Sequence, residues 1–240
     1  MDGKNISKLS FEDLNLKESL LRGVFSYGFE NPSVIQNSAI PVLSKGKDVI
    51  AQAQSGTGKT GAFAIGCLNK LDEEKKRTQV LIISPTHELV NQTYDVLKNL
   101  SNYMDVTIMK VMGGTNVNEC RNDLSKDPQI IVGSPGRILD MINRRFLFTD
   151  NITTLIFDEA DEILSYGFKE SNYNIIKCIP QNTQICLFSA TIPEDIIELS
   201  SKFLREPEHI LVKKEALTLE GITQFYINIK VNDWKYDVLK

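Results

Sequence analysis

The feature that most constrains this chain is the glycine-rich stretch Ala53-Gln54-Ser55-Gly56-Thr57-Gly58-Lys59-Thr60. The segment before it, residues 48–52, is short and partly β-branched, and the segment after it, residues 61–68, carries apolar residues at helical spacing. This order of strand, glycine-rich loop and helix is the context in which a phosphate-binding loop is expected. The sequence therefore predicts an α/β fold whose first strand ends at a ligand.

Each residue type in this loop suits contact with phosphate and its metal ion. Gly56 and Gly58 allow a tight turn that points backbone N–H groups at phosphate oxygens, and the following helix adds the positive end of its dipole. Lys59 can reach terminal phosphates, and the Thr60 hydroxyl is a hard oxygen ligand for Mg²⁺. The alternative is a polar loop without a ligand, and Ala53 stands where the general pattern has glycine.

The rest of the chain alternates between strand-like and helical patterns. Apolar runs occur at 48–52, 79–84, 106–112, 129–133, 153–158 and 184–189, with helical patterns between them and one more after the last. Alternation of this kind predicts βαβ units and a mostly parallel sheet with helices on both faces. In such sheets the ligand binds beyond the carboxyl ends of the strands.

Both ends of the chain carry weaker signals. We predict a first helix capped by Asn15 and ended by Gly28, and a second that starts at Ser33 and stops before Gly46. Residues 208–213 are predicted as one more strand, 217–221 as a connector and 224–229 as a strand that begins a new unit.

Composition narrows the class of protein. A chain of 240 residues with 42% hydrophobic and 24% charged residues suits one large globular domain. No apolar run approaches the roughly 18 residues of a membrane helix, and no signal-peptide core is visible, so we expect no membrane contact and a cytoplasmic or nuclear protein. The four cysteines show no zinc-ligand spacing and are expected to be reduced thiols. A net charge of −4 does not itself indicate nucleic-acid binding.

A second motif follows the apolar run at 153–157. Asp158 is expected to hold Mg²⁺, partly through water, because a carboxylate after such a strand lies beside the metal of a phosphate-binding loop. Glu159 is then placed to orient and deprotonate an attacking water. The alternative is that Asp158 and Asp161 merely cap the next helix.

Asp158-Glu159-Ala160-Asp161 also spells the signature of the DEAD-box ATP-dependent RNA helicases. From about Phe11 onward the chain resembles the N-terminal RecA-like lobe of that family, most of all that of the initiation factor 4A group. The resemblance implies a RecA-like P-loop NTPase domain. It also implies N-terminal helices with an adenine-reading Q motif at 1–37, helicase domain 1 at 38–213, and a linker with the start of a second lobe at 214–240.

The resemblance assigns an ATP site. It implies that Phe29 stacks on adenine and that the Gln36 amide reads the adenine edge; without it, Phe29 is simply a core aromatic residue and Gln36 a surface helix residue. The implied ATP-binding residues of the loop are Ala53, Gln54, Ser55, Gly56, Thr57, Gly58, Lys59 and Thr60. Lys59, Asp158 and Glu159 are the implied catalytic residues. Asp161, Ser189 and Thr191 are implied to couple hydrolysis to unwinding, although Ser and Thr after a strand are more often helix caps.

The resemblance also implies an RNA-facing surface at three further strand ends. Its candidate residues are Pro85, Thr86, Gly113, Gly114, Ser134, Pro135, Gly136 and Arg137. Small residues and free backbone N–H groups suit contact with sugar and phosphate, which requires no base reading. The alternative for Gly113-Gly114 is an ordinary turn. The chain departs from the family at His87 and Tyr166, where relatives have Arg.

The implied partners are ATP, Mg²⁺, single-stranded RNA, a second RecA-like lobe and a scaffold protein of the initiation factor 4G type. We expect a monomer. The second lobe supplies arginine fingers, and no such motif follows residue 205, so this chain alone is expected to bind nucleotide with little turnover. Two other classes stay open: a free-standing interaction or competitor module, and an unrelated P-loop enzyme such as a small-molecule kinase.

Overall fold

The computed structural model describes residues 10–164, 169–212, 227, 229 and 234–239. Its strands are β1 Val49–Gln52, β2 Val80–Ile83, β3 Ile108–Val111, β4 Ile130–Gly133, β5 Thr154–Asp158, β6 Gln184–Ser189 and β7 Glu208–Leu211. A 3₁₀ helix covers Phe11–Leu14, and the α-helices are α1 Glu18–Ser26, α2 Val34–Ser44, α3 Lys59–Lys70, α4 His87–Leu100, α5 Val117–Leu124, α6 Pro135–Asn143, α7 Ala160–Ile163, α8 Lys169–Cys178, α9 Glu194–Ser200 and α10 Lys235–Leu239.

The seven strands form one sheet in the order β3-β4-β2-β5-β6-β1-β7. Every neighbouring pair of these strands is parallel. The central strands are buried on both faces, which is why they appear in the sequence as continuous apolar runs. The predicted α/β fold with a mostly parallel sheet is confirmed.

Helices cover the sheet on both sides and form two apolar clusters. Phe63 and Phe188 pack edge to face in the cluster beneath α1 to α4, with ring centroids 5.2 Å apart. Phe157 lies in the opposite cluster, beneath α5 to α9. Alternate residues of a strand enter opposite clusters, as Ile82 and Leu81 do, so one short strand anchors both layers. Within the described part of the chain, every helix is too short or too polar to cross a lipid bilayer.

The prediction that Asn15 caps the first long helix is wrong. Asn15 adopts a left-handed conformation with φ of 50° and ends the 3₁₀ helix instead. Asparagine tolerates this conformation because its short polar side chain bonds locally. Helix α1 begins three residues later after Lys17, which has no side-chain cap; its backbone N–H donates to the Asn69 side chain at 2.9 Å.

The second predicted helix is confirmed, since Ser33 caps α2 and the helix ends at Ser44. The strand predicted at 208–213 forms at Glu208–Leu211. The connector predicted at 217–221 and the Tyr166 departure lie outside the described residues, as does the strand predicted at 224–229 apart from two isolated positions.

Candidate functional site

Because the described strands are parallel, their carboxyl ends meet at one edge of the sheet. Segments after β1, β5 and β6 form one side of this edge, which we call the P-loop half. Segments after β2, β3 and β4 form the other side, which we call the outer half. The sheet order separates the two, since β5-β6-β1 and β3-β4-β2 are each contiguous.

The loop after β1 has the backbone that its glycines predict. Gly56 and Gly58 have φ of +79° and +98°, and Gly58 is the N-cap residue of α3. L-residues with a side chain rarely adopt these angles, so glycine is strongly favoured at both positions. The backbone of Ala53, by contrast, does not have a positive φ, and its N–H donates to the Ser189 carbonyl at 3.0 Å. Alanine in place of the first glycine is therefore no defect.

Lys59 at the start of α3 is buried, with 5% of its surface exposed. Its Nζ donates to the Ala53 carbonyl at 3.0 Å and lies 3.4 Å from Glu159 Oε1. A buried ammonium group needs such partners, because desolvation without them costs several kcal/mol. The lysine is thus held against the loop by one carbonyl and one carboxylate.

Asp158 ends β5 with only 3% of its surface exposed. Burial, together with the charge of Glu159, raises the pKa of Asp158 to about 7, although Lys59 and a hydrogen bond from Thr93 oppose the shift. The sequence reasoning missed Thr93. Its signal was a hydroxyl residue at a core position of α4, between Val90 and Leu97 at helical spacing.

Glu159 has φ of 51° and ψ of 59°, a left-handed conformation that costs a non-glycine residue about 1–2 kcal/mol. It occupies the N-cap position of α7, but its side chain makes no capping hydrogen bond. The alternative in which Asp158 caps this helix therefore does not hold. The strained backbone turns the Glu159 carboxylate toward Lys59.

Asp161 joins the ends of β5 and β6. The Thr191 hydroxyl donates to its Oδ2, and Ser189 also hydrogen-bonds to its carboxylate. Burial alone would raise the pKa of Asp161, but these hydrogen bonds and those from the backbone lower it below its ordinary value. The Ser189 and Thr191 hydroxyls thus bind the last aspartate of the Asp-Glu-Ala-Asp motif.

The donor chemistry of the P-loop half suits Mg²⁺. Thr60 offers a hydroxyl and Asp158 a carboxylate, and both are the hard oxygen ligands that this ion prefers. The raised pKa of Asp158 marks a carboxylate that lacks a neighbouring cation strong enough to offset its burial. A divalent ion bound there would supply that charge.

Gln36 lies behind the loop and is buried, with 4% of its surface exposed. Its Oε1 accepts the Ser33 N–H at 2.9 Å, and its Nε2 donates to the Gly58 carbonyl at 3.3 Å. The surface position considered for Gln36 is therefore wrong. The sequence analysis placed Ser33 at the start of this helix but missed its hydrogen bonds with Gln36, although Ser-x-x-Gln before an apolar run is the signature of a capping box.

Phe29 packs beside Gln36 against the first turn of α3. A Cβ at Gly61 would lie 2.7 Å from Gln36 Nε2 and 3.1 Å from the Phe29 ring, so only glycine allows this approach. The Phe29 ring also stacks on Phe11 at 6.1 Å and meets Tyr27 edge to face at 4.9 Å. Phe29 is held by neighbours on several sides but is not fully buried.

The outer half contains the other predicted residues. Thr86 caps α4 through its hydroxyl, which accepts the Leu89 N–H at 3.2 Å, and Pro85 before it is buried. Gly114 has φ of +76° with open space around its Cα, and a Cβ at Gly113 would lie 3.5 Å from His87 Nε2. The ends of β2 and β3 therefore meet at His87.

The segment after β4 completes the outer half. Ser134 occupies the N-cap position of α6 but makes no capping hydrogen bond, and Pro135 follows it at the first helical position. Gly136 is exposed with open space around it. Arg137 donates through Nη1 to the carbonyl and hydroxyl of Thr115 at 3.1 and 3.2 Å, which the sequence did not suggest.

Comparison with known proteins identifies the family of the chain. Residues 33–199 match the model of the DEAD/DEAH box helicase family. The chain is 50% identical over 230 residues to a Debaryomyces hansenii protein named ATP-dependent RNA helicase eIF4A, covering 96% of this chain and 58% of the relative. It is 53% identical to the Aspergillus fumigatus protein of the same name, with 96% and 57% covered.

Solved structures give the same result. Saccharomyces cerevisiae Dbp5 bound to RNA and ADP BeF3 superimposes with a TM-score of 0.85 at 29% identity, covering 96% of this chain and 59% of that one. A DEAD box protein from Methanococcus jannaschii gives 0.82 at 36% identity, with 86% and 57% covered. The chain spans less than two thirds of the length of these relatives. Its sequence and fold show that the chain belongs to the DEAD/DEAH box helicase family.

Proposed function

We propose that this chain is the ATP-binding lobe of an RNA helicase of the initiation factor 4A kind, which couples ATP binding and hydrolysis to local unwinding of RNA. The observation that carries the proposal is the convergence on one loop of a buried lysine, two carboxylates of the Asp-Glu-Ala-Asp motif and a buried glutamine amide. Similarity to proteins named ATP-dependent RNA helicase eIF4A supports it.

In the proposed ATP complex, the phosphates lie in the loop at the start of α3. The N–H groups of residues 55–60 and the dipole of α3 provide positive potential there. Lys59 exchanges the Glu159 carboxylate for a terminal phosphate. Thr60 and, through water, Asp158 would hold Mg²⁺, which would supply positive charge to neutralise the phosphates.

The same exchange prepares hydrolysis. Once Lys59 contacts phosphate, the Glu159 carboxylate loses its ion-pair partner and becomes available to orient and deprotonate water. The left-handed backbone of Glu159 keeps that carboxylate at the mouth of the loop. Asp161, Ser189 and Thr191 transmit a change at the end of β5 to the end of β6, because their hydrogen bonds join the two segments.

The outer half is proposed to bind single-stranded RNA through its sugar-phosphate backbone. Thr86, Gly114, Ser134 and Arg137 lie on neighbouring strand ends and offer hydroxyl, N–H and guanidinium donors without any base-reading arrangement. The structure of Dbp5 bound to RNA, with which this fold superimposes, supports this assignment.

A second RecA-like lobe completes the proposed ATP site. We infer that the 240-residue polypeptide alone binds nucleotide and hydrolyses it very slowly, because an arginine finger contributes about 10³–10⁵ in rate. A monomeric, cytoplasmic or nuclear protein with a scaffold partner of the initiation factor 4G type remains our prediction. Cross-linking of a labelled scaffold fragment to this chain tests that partner.

Nucleotide titration tests the proposed function. We expect the wild-type chain to bind a fluorescent ATP analogue in Mg²⁺, and Lys59→Ala to weaken binding by about 10–100-fold, since a hydrogen bond to a charged group contributes about 1.5–3 kcal/mol. Gln36→Ala is expected to retain binding but lose the preference for ATP over GTP. Lys98→Ala, at an exposed position of α4, is the control.

Two results would contradict the proposal. Unchanged ATP affinity in Lys59→Ala would show that Lys59 does not bind phosphate and would contradict the proposed phosphate site. Transfer of phosphate from ATP to a small metabolite, with nucleotide preference unaffected by Gln36→Ala, would favour the kinase class instead.

A further inference from the structure

A surface cavity of about 590 Å³ lies at the opposite edge of the sheet from the P-loop. It is lined by residues that precede β2, β4 and β5 and by the last turn of α5. The described strands are parallel, so their amino ends face away from the edge that carries the proposed ATP and RNA sites. None of the residues assigned to those sites lines this cavity.

Three arginines line the cavity, and their partners differ. Arg77 forms an ion pair with Asp127 across the cavity rim. The guanidinium carbon of Arg121 lies 5.2 Å from the centroid of the Phe146 ring, within the range of a cation–π contact. Arg145 is exposed, and no described residue forms an ion pair or a side-chain hydrogen bond with it. Among the described residues, the Arg145 guanidinium therefore has no side-chain partner.

The backbone fixes Arg145 at the cavity. Arg145 has φ of 57°, and its N–H donates to the Ile142 carbonyl at 2.9 Å, which ends α6 in a left-handed turn. The next residue, Phe146, donates to the Met141 carbonyl at 2.9 Å. These two hydrogen bonds hold the backbone of Arg145 and Phe146 against the end of α6. The fold therefore sets the position of Arg145 at the cavity.

The apolar part of the cavity is partly uncovered. Phe148 is 65% exposed, whereas Leu147 beside it is buried. A large aromatic ring left in water, in the same cavity as a guanidinium that has no described side-chain partner, is the composition of a recognition surface, because aromatic residues and arginine are enriched where proteins bind one another. The cavity is lined by three arginines and two aspartates, so its lining carries a net positive charge although the net charge of the chain is −4.

We propose that this cavity binds a short segment of a partner protein in which a carboxylate lies next to a large apolar side chain. The carboxylate pairs with Arg145, and the apolar side chain packs on Phe148. Asp127 and Asp150 also line the cavity; they would repel the closely spaced phosphates of a nucleic acid more strongly than a single carboxylate, and a peptide offers them backbone N–H groups. The mixed charges therefore favour a peptide over RNA.

NMR titration of the ¹⁵N-labelled 240-residue chain tests the proposal. The probe is the peptide acetyl-Gly-Ser-Glu-Trp-Ser-Gly-amide, compared with the same peptide carrying Gln for Glu and with a ten-nucleotide single-stranded RNA. We expect the acidic peptide to shift the amide signals of Arg145, Phe146 and Phe148. We expect Arg145→Gln or Phe148→Ser to weaken that binding by at least about fivefold, given the value of a hydrogen bond to a charged group.

The neighbouring Arg144 provides a matched control. Its Nε pairs with Asp140 at 2.6 Å, and it does not line the cavity, so Arg144→Gln should leave peptide binding unchanged. Both arginine variants should bind the fluorescent ATP analogue like the wild type. Absence of shifts at the cavity, equal binding of the acidic and Gln peptides, or stronger shifts there with RNA would each overturn the proposal.

Discussion

The two halves of the carboxyl edge differ in how their polar groups are used. In the P-loop half the charged side chains of Lys59, Asp158 and Asp161 already contact other protein groups, and the first two are almost fully buried. In the outer half Gly114, Gly136 and the Ser134 hydroxyl face open space or make no capping bond. The P-loop half therefore contains buried charges and a strained backbone. The named groups of the outer half, by contrast, remain available to a ligand. Changes in the first should alter folding stability, and changes in the second should alter ligand binding alone.

The largest expected effect is at Asp158. Its pKa of about 7 in the folded chain exceeds its ordinary value near 4, so the folded state binds more protons than the unfolded state between these values. Stability therefore falls as pH rises through that window, and the full cost is present above pH 7. Asp158→Asn should be stabilised relative to wild type by about 2 kcal/mol more at pH 8 than at pH 5.

Urea unfolding without nucleotide or Mg²⁺ at the two pH values measures this difference. A stability difference between Asp158→Asn and wild type that does not change with pH would show that Asp158 ionises normally, and would remove the contrast between the two halves.

The next effect is steric. A Cβ at Gly58 would lie 2.7 Å from Gln36 Nε2 and 3.1 Å from Ser33 Oγ, and φ there is +98°. Gly58→Ala should destabilise the chain by about 1.5–2 kcal/mol, since crowding adds to backbone strain. Gly56→Ala is the matched control, because φ is also positive there but nothing lies within 4 Å, and about 1 kcal/mol is expected. Equal melting temperatures for the two variants would argue against contact between the loop and Gln36.

A smaller effect is expected at Thr191. Thr191→Val removes one hydroxyl donor to Asp161 and leaves the Ser189 contact, so the pKa of Asp161 should rise and stability at pH 7 should fall by about 1 kcal/mol. NMR titration of the Asp161 carboxyl measures the first and chemical denaturation the second. An unchanged Asp161 titration would show that the hydrogen bond has no role in the free chain.

The smallest effect on stability is expected in the outer half. His87 is exposed beside Gly113, so His87→Arg should change stability by less than about 0.5 kcal/mol. An added permanent charge that neutralises one phosphate should steepen the log–log salt dependence of RNA binding by about 0.7. Identical slopes for the two proteins, measured by fluorescence anisotropy, would remove His87 from the proposed RNA surface.

The fold and the location of the site were predictable because local patterns determine them. In a chain that alternates strands with helices, a short apolar run such as Val80-Leu81-Ile82-Ile83 indicates a buried strand. The glycines of the loop indicate the positive φ angles that the structure has. The error at Asn15 arose because two adjacent short helices compete for one capping residue, and local pattern does not decide between them. Thr93 and Gly61 were missed because their roles depend on partners far away in the sequence.

The cavity at the amino ends of the strands was not predictable from the sequence. Arg77, Arg121 and Arg145 lie in separate segments, and each alone appears as an ordinary surface arginine. Only the order of the sheet, which brings the starts of β2, β4 and β5 together, makes them neighbours.

The Gln36 amide can form only a few hydrogen bonds, as donor and as acceptor. Its oxygen has two lone pairs and its nitrogen two hydrogens; Ser33 uses one lone pair and Gly58 one hydrogen. One donor and one acceptor remain, and they match the N6 and N7 edge of adenine. Guanine presents two acceptors at the same edge and would need two donors. Because Ser33 and Gly58 prevent the amide from flipping, base selection in the proposed site is already set by the cap of α2 before any nucleotide binds.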